Sequence, residues 1–213
     1  MSIINEDIEA GETTDLESLI NFYEDKEITK DDIINLLKIA LNDELLATYN
    51  YMASYNRSKT EGKADFDPEF EAHEAEEYDH AHQIINRLRE LGVEPLDVAW
   101  NDIKVKNSAG AGWKQEFETD SSKIIVNRYN EEVAAVDFYS FILKILHKTR
   151  ENDDFDSTTQ MLIKKIKADE EEHAKDLFDL IEEHGIEVKK DLEIDPEDAK
   201  NEDDAEKDED AED

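Results

Sequence analysis

Four glutamates and two histidines occupy positions where the surrounding sequence predicts buried helix faces. Two of the glutamates are each followed by a histidine three residues later, so each such pair shares one face of a helix. The other two glutamates interrupt series of apolar residues that are spaced three and four apart. Carboxylates and imidazoles that converge in a helical core are suited to binding metal ions. The six residues are Glu44, Glu77, His80, Glu132, Glu170 and His173.

A core that holds four carboxylates needs compensating positive charge, because a buried ionised carboxylate is strongly destabilising unless it is paired. Arg128 and Lys167 lie one turn from two of the glutamates and are too few for four carboxylates. Two divalent metals would balance four ionised glutamates and two neutral imidazoles. The chain has no cysteine, so thiolate sites are excluded, and the donor set favours iron or manganese over copper(I) or a structural zinc.

An internal duplication supports this interpretation. Residues 42–51 align with 130–139, and residues 76–81 align without gaps with 169–174. The duplication superposes each predicted ligand of the first half on one of the second. We expect Glu77 and Glu170 to bridge the two metals. The remaining ligands would complete one metal each, as the pairs Glu44 with His80 and Glu132 with His173.

The periodicity predicts an all-α protein. Apolar residues at helical spacing indicate four long helices, and N-terminal caps are predicted at Thr29, Asp67, Asp120 and Ser157. Gly92 and Gly185 are expected to end the second and fourth helices. The predicted helices span about 30–57, 67–91, 121–149 and 158–184.

The connections predict how the helices are arranged. Short loops join the first helix to the second and the third to the fourth, so each pair should form an antiparallel hairpin. The connection between the hairpins has nearly thirty residues and is long enough to run the length of the bundle. The expected fold is a four-helix bundle of two antiparallel hairpins joined by a long crossover. We predict an N-terminal extension at 1–28 with one short helix, the bundle at 29–185 and a disordered acidic tail at 186–213.

The overall charge limits the partners. The chain of 213 residues carries a formal net charge of −35, which disfavours nucleic-acid backbones and anionic membranes. It has no run of 18 apolar residues and no signal-peptide pattern at its N-terminus. We therefore expect a cytoplasmic protein that binds neither nucleic acid nor membranes.

The segments around the six residues resemble a known family. Residues 43–51, together with the Glu-x-x-His pairs at 77–80 and 170–173, are similar to the ferritin superfamily, and within it to bacterioferritin. The resemblance covers about 30–185. It implies a ferritin-like bundle with a ferroxidase centre that binds two iron ions and oxidises Fe(II) with O₂ or H₂O₂, in iron storage or oxidant defence. We also expect a homo-oligomer.

At two positions the chain differs from related families, and these differences limit the cofactor and the subfamily that we expect. Bacterioferritins bind haem through a methionine directly after the ligand glutamate of the second helix, and this chain has Tyr78 there, so haem is not expected. Rubrerythrins carry a further glutamate where this chain has Ala135. Manganese catalase, a di-iron oxygenase and a non-catalytic metal-binding or scaffold bundle remain as alternatives.

Three further side chains are candidates for positions next to the metals. Tyr51 and Tyr139 follow Glu44 and Glu132 by seven residues, two turns along the same face. They could donate hydrogen bonds or an electron, or simply pack in the core. His73 lies one turn before Glu77 and is either a neighbour of the metals or a core residue.

Overall fold

The computed structural model describes residues 16–61, 64–93, 120–149 and 156–188. Within these ranges the chain forms helices and no strand, so the predicted all-α four-helix bundle is confirmed. A single 3₁₀ turn, Ala64–Phe66, precedes the second long helix. The helices are α1 (Leu16–Tyr23), α2 (Lys30–Glu61), α3 (Asp67–Glu90), α4 (Ser121–Lys148) and α5 (Ser157–Glu183).

The N-termini of the helices follow local capping chemistry, with two corrections to the sequence prediction. Asp120 caps α4 by accepting a hydrogen bond of 2.9 Å from the Ser122 amide. Asp156, not Ser157, caps α5, since its carboxylate accepts from the Thr159 amide at 3.0 Å. The predicted cap Asp67 is instead the first residue of α3, because the 3₁₀ turn leads directly into the helix. Its carboxylate accepts a hydrogen bond from the Ser58 hydroxyl of α2.

The C-termini of α3 and α5 end in the same way. Gly92 has φ 92° and Gly185 has φ 62°, a left-handed conformation that glycine adopts without steric cost. The amide three residues beyond the last helical residue then donates back to the last turn, from Val93 to the Leu88 carbonyl and from Ile186 to the Ile181 carbonyl, each at 3.0 Å. The duplication therefore extends to the backbone at the helix ends.

Contacts between the hairpins fix the direction of each helix. The Tyr51 hydroxyl of α2 donates to Glu132 of α4, and the Tyr139 hydroxyl of α4 donates to Glu44 of α2, so α2 and α4 are antiparallel. Since α3 is also antiparallel to α2, α3 and α4 run the same way, and α3 ends at the end of the bundle opposite to the start of α4. The connection must span the bundle, about 40 Å at 1.5 Å per residue. Residues 94–119 of this crossover lie outside the described residues.

Helix α4 is buried on two faces. Besides the face that carries Glu132, Phe138, Ile142 and Ile145 are almost fully buried, and they belong to the same apolar cluster as the buried residues of α1. The ring centroids of Tyr23 and Phe141 are 6.0 Å apart. The Lys148 ammonium also donates to the Tyr23 carbonyl at 3.0 Å. Helix α1 thus covers an apolar face that a four-helix arrangement alone would leave exposed.

The packed chain continues beyond the last helix. Ile186 and Val188 are half-buried and pack against the cluster around Tyr51 and Leu177, beyond the boundary expected at 185. The division into extension, bundle and tail stays a prediction, and residues 1–15 and 189–213 lie outside the described residues. In the described part of the chain, no helix is long and apolar enough to cross a membrane.

Candidate metal centre

All six predicted residues converge in the middle of the bundle. Helix α2 contributes one glutamate, α4 another, and α3 and α5 one glutamate and one histidine each. None is more than 2% exposed. The site residues predicted from the sequence are therefore brought together by the fold, and their role as metal ligands is the proposal developed below. They are Glu44, Glu77, His80, Glu132, Glu170 and His173.

The six side chains form two overlapping groups, in each of which the donor atoms lie within 4.8 Å of one another. Glu77 and Glu170 belong to both groups, as a bridging pair would. In the first group, His80 Nδ1 is 3.3 Å from Glu44 Oε2 and 3.1 Å from Glu170 Oε1. In the second, His173 Nδ1 is 3.0 Å from Glu77 Oε1. The first group comprises Glu44, Glu77, His80 and Glu170, and the second Glu77, Glu132, Glu170 and His173.

The donor atoms at the centre are unsatisfied. Buried polar atoms are nearly always hydrogen-bonded, so a group of unpartnered ones requires an explanation. Here five buried atoms that face each other have no hydrogen-bond partner among the described residues. This donor set fits two divalent cations, which would satisfy these atoms together. The atoms are Glu44 Oε2, Glu77 Oε1, His80 Nδ1, Glu170 Oε1 and His173 Nδ1.

Two carboxylates outside the centre hold the histidines in place. His80 Nε2 lies 3.0 Å from Asp169 Oδ2, and His173 Nε2 lies 2.6 Å from Glu76 Oε2. Each contact crosses from one hairpin to the other. A proton on Nε2 directs the lone pair of Nδ1 into the centre, as in carboxylate–histidine–metal arrangements. The sequence alignment paired Glu76 with Asp169, but in a sequence an acid next to a candidate ligand looks like any solvated helix position.

The two tyrosines predicted beside the metals hydrogen-bond the glutamates of α2 and α4. The Tyr51 hydroxyl donates to Glu132 Oε1 at 2.5 Å, and the Tyr139 hydroxyl donates to Glu44. Burial, followed by the nearby carboxylates, raises the pKa of both phenols far above the ordinary value. Both phenols therefore stay protonated and act as hydrogen-bond donors. Each of the two hydrogen bonds joins one hairpin to the other.

His73 contacts both Tyr51 and the centre. Its Nδ1 is 3.2 Å from the Tyr51 hydroxyl oxygen, and its ring stacks on the ring of His173 with centroids 4.1 Å apart. Burial, followed by repulsion from His173, lowers the pKa of His73 to about 4. The imidazole is therefore neutral at pH 7.

The clustering of charges shifts the ionisation of the glutamates in opposite directions. Burial, followed by repulsion from Glu44, raises the pKa of Glu170 to about 8. Burial and the charge of Glu170 likewise raise the pKa of Glu77 well above its ordinary value. Burial acts in the same sense on Glu132, but its contacts, above all the one with His173, outweigh burial and lower the pKa to about 2. Without a cation the centre therefore retains protons at neutral pH.

The histidines gain protons for the complementary reason. Burial alone would disfavour the imidazolium, but contacts with Glu170, Glu44 and Glu77 hold the pKa of His80 well above its ordinary value. Contacts with Glu132, Glu170 and Glu77 do the same to the pKa of His173. Metal binding would displace these protons, so affinity at the centre should rise with pH.

An opening between α2 and α4 leads to the centre. It has a volume of about 30 Å³ and is lined by the four central glutamates together with polar residues of both helices. Glu131, at its edge, accepts hydrogen bonds from Asn50 at 3.1 Å and Arg128 at 2.8 Å. Arg128, expected near Glu132 from the sequence, is paired with Glu131 instead. The space admits about two water-sized molecules. Its other lining residues are Asp43, Leu46, Ala47 and Ala135.

The fold and the site define a class of protein. A four-helix bundle with one glutamate from each of two helices and Glu-x-x-His from each of the other two is the architecture of ferritin-like carboxylate proteins. The sequence pattern of the family described as "Ferritin-like domain" matches residues 34–184. The chain therefore belongs to the ferritin-like family, as the sequence resemblance indicated.

A solved structure gives the relationship more detail. The chain is similar to a bacterioferritin-related protein from Bacteroides fragilis, described as a dodecameric thioferritin, with 27% sequence identity and a TM-score of 0.61. The match covers 79% of this chain and 95% of that chain. No curated protein matches the sequence.

Proposed function

We propose that this protein is a ferroxidase that binds two Fe²⁺ at the six-residue centre and oxidises them with O₂ or H₂O₂. The observation that carries the proposal is the pair of overlapping donor groups that share Glu77 and Glu170. Two metals held by shared carboxylates can deliver two electrons to one oxidant. Two Fe²⁺ and two protons reduce H₂O₂ to water, or O₂ to H₂O₂, so the electrons balance without an external reductant.

The side chains around the centre would hold the two metals and orient their ligands. Glu44 and His80 would complete one metal, and Glu132 and His173 the other. Four carboxylates favour the oxidised state, because the additional charge of Fe³⁺ is attracted by the same anionic shell. Tyr51 and Tyr139 orient two of the carboxylates, while Asp169 and Glu76 orient the imidazoles. The reactive atoms are thereby held before a metal arrives.

The size of the opening supports small reactants. A cavity of about 30 Å³ that reaches the four central glutamates has room for an ion and a diatomic oxidant. Pockets for organic substrates are typically an order of magnitude larger. Among the described residues, this feature favours ferroxidase activity over an oxygenase acting on an organic substrate.

The related Bacteroides fragilis protein is described as dodecameric, and we propose that this chain also forms a homo-oligomer. We place its activity in iron storage or in defence against oxidants, in the cytoplasm. Native mass measurement after Fe²⁺ oxidation gives the number of chains in the oligomer. It also distinguishes storage from defence, since a storage protein retains an iron core and a purely protective one releases Fe³⁺.

The decisive experiment combines metal analysis with kinetics. Protein purified without added metal is analysed for iron and manganese, then loaded with Fe²⁺ and mixed with O₂ or H₂O₂. We expect two rapidly oxidised Fe²⁺ per chain. Tight manganese with H₂O₂ disproportionation would identify a manganese catalase. Two bound metals without redox turnover would identify a metal-binding scaffold.

A further inference from the structure

A second group of metal-binding side chains lies beside the centre. Glu69 and His73 of α3 and Asp176 of α5 each offer one donor atom within 4.8 Å of the others. His73 is 2% exposed, whereas Glu69 and Asp176 are half-buried. None of the three belongs to the six residues of the centre.

One ring nitrogen of His73 points into this group without a hydrogen bond. His73 Nε2 is 3.8 Å from Glu69 Oε2, too far for a hydrogen bond. Among the residues that the structure describes, the only hydrogen bond of the ring is made by Nδ1, with Tyr51. A buried imidazole whose second nitrogen faces a carboxylate at 3.8 Å without a hydrogen bond is arranged as a ligand.

We propose that Glu69, His73 and Asp176 form a third site, for a divalent transition metal such as Fe²⁺, Mn²⁺ or Co²⁺. One imidazole and two carboxylates suit these ions and leave coordination positions for water. Two carboxylates and a neutral imidazole balance a single divalent charge. Because Glu69 and Asp176 reach solvent, this metal would exchange more readily than metals bound by the six buried residues of the centre.

The duplication shows that the bundle does not require polar residues here. The offset of 93 residues that relates α3 to α5 places Leu162 opposite Glu69, Ile166 opposite His73 and Gln83 opposite Asp176. At the equivalent level of the other half, two of the three positions are apolar, and Ile166 is fully buried. Stability of the fold therefore does not explain the polar side chains of Glu69 and His73.

The third site would be linked to the centre by hydrogen bonds. A metal on His73 Nε2 leaves the proton on Nδ1, which can then donate to the Tyr51 oxygen 3.2 Å away. Tyr51 in turn donates to Glu132. Occupancy of the third site thus fixes the orientation of Tyr51 and hence of a ligand carboxylate, as outer hydrogen bonds commonly do.

The test compares Co²⁺ binding by the full-length protein and two charge-matched variants. Asp176→Asn removes a proposed ligand, and Asp179→Asn removes an exposed carboxylate of the same helix that pairs with Lys175. Bound Co²⁺ is measured by equilibrium dialysis at about 0.5 M salt, which screens loose binding to the acidic surface. Anomalous scattering from Co²⁺-loaded crystals locates each ion.

We expect three Co²⁺ per chain in the wild type and in Asp179→Asn, and two in Asp176→Asn. The map should show a peak between Glu69, His73 and Asp176 that the Asp176→Asn variant lacks. The inference does not depend on the proposed function, and the two can fail separately. Two Co²⁺ in all three proteins would overturn the third site and leave the centre intact. A peak only at the third site would support the third site and overturn metal binding at the six-residue centre.

Discussion

The hairpin α2–α3 and the hairpin α4–α5 supply equivalent halves of the centre but differ one turn away from it. Glu44 and Glu132, the two Glu-x-x-His pairs and the two tyrosines all correspond under the duplication. At the next level of the bundle, His73 lies beside Tyr51, whereas the corresponding residue of the second hairpin, Ile166, is part of the apolar core. The symmetry is thus retained at the six-residue centre and lost in its surroundings.

This difference indicates that the six residues of the centre are constrained more strictly than the residues around them. The six residues form a unit, because each hairpin contributes a carboxylate to both donor groups through Glu77 and Glu170. The outer residues act on one side only and can diverge without disturbing the other side. Changes in the ligands should therefore affect both halves, and changes further out should affect one.

The largest effect is expected from removing a histidine of the centre. His80→Ala and His173→Ala should each slow rapid Fe²⁺ oxidation by about 100-fold or more, since even outer partners of metal ligands cost 10–100-fold. The double variant should be hardly slower than either single one, because residues that act as a unit are non-additive. Stopped-flow oxidation kinetics measure all three.

His82→Ala is the matched control for this experiment. His82 lies on α3 like His80 but is exposed, and its ring packs against the ring of Tyr78. Its removal should leave the rate unchanged. Modest and additive losses from the two central histidines would indicate two independent mononuclear sites, and the ferroxidase proposal would then be abandoned.

The helices and the centre were predictable because buried periodicity is visible in sequence. Glu44 and Glu132 stood out as carboxylates within apolar stripes, and the duplication identified their partners. The roles of Glu76 and Asp169 were not visible, because they depend on the distance between α3 and α5. The second buried face of α4, which carries Phe138, was missed because α1 covers it from a distant part of the chain.

The next effect concerns the carboxylates that hold the histidines. Glu76→Ala should weaken metal binding in the half that contains His173 by about tenfold. Asp169→Ala should have a smaller effect on the half that contains His80, because Asp169 is shared with Lys165 at 3.1 Å and its contact with His80 is longer. Titration with Co²⁺ separates the two halves by their affinities.

Glu71→Ala serves as the control for these variants, since Glu71 is an exposed acid of α3. It should bind Co²⁺ as the wild type does. Equal losses of affinity in all three variants would attribute the effect to the general loss of negative charge, and the orienting role of Glu76 would be rejected.

Metal removal should make stability dependent on pH. The raised pKa of Glu170, about 8 against 4.5 for an ordinary glutamate, means that the folded state binds this proton more tightly than the unfolded state. The stability that this proton contributes is therefore full below about pH 4.5 and is lost as the pH rises through 8. The raised pKa of Glu77 acts in the same direction. The thermal midpoint of the metal-free protein should fall by about 5–10 °C over this interval.

A double substitution tests the cause of this pH dependence. Glu44→Gln with Glu132→Gln removes the neighbouring charges that help to raise the pKa of Glu77 and Glu170, so the decrease should become shallower. The lowered pKa of Glu132 contributes stability that is lost only towards pH 2, outside the interval. Thermal melting at several pH values measures the effect, and a flat wild-type profile would show that the carboxylates do not repel one another.

The smallest and most selective effect should distinguish the two tyrosines. Tyr51→Phe and Tyr139→Phe each remove a hydrogen bond to a carboxylate, worth about 1.5–3 kcal/mol, and hold no metal themselves. Each should therefore slow Fe²⁺ oxidation much less than the histidine variants do. Only Tyr51 also contacts His73, so only Tyr51→Phe should weaken Co²⁺ binding at Glu69, His73 and Asp176, by about threefold to tenfold. Tyr139 has Ile166 at the equivalent level, and its variant is the internal control. Equal weakening of that site by both variants would mean that the hairpins are coupled through the whole core, and the one-sided arrangement inferred from His73 would be wrong.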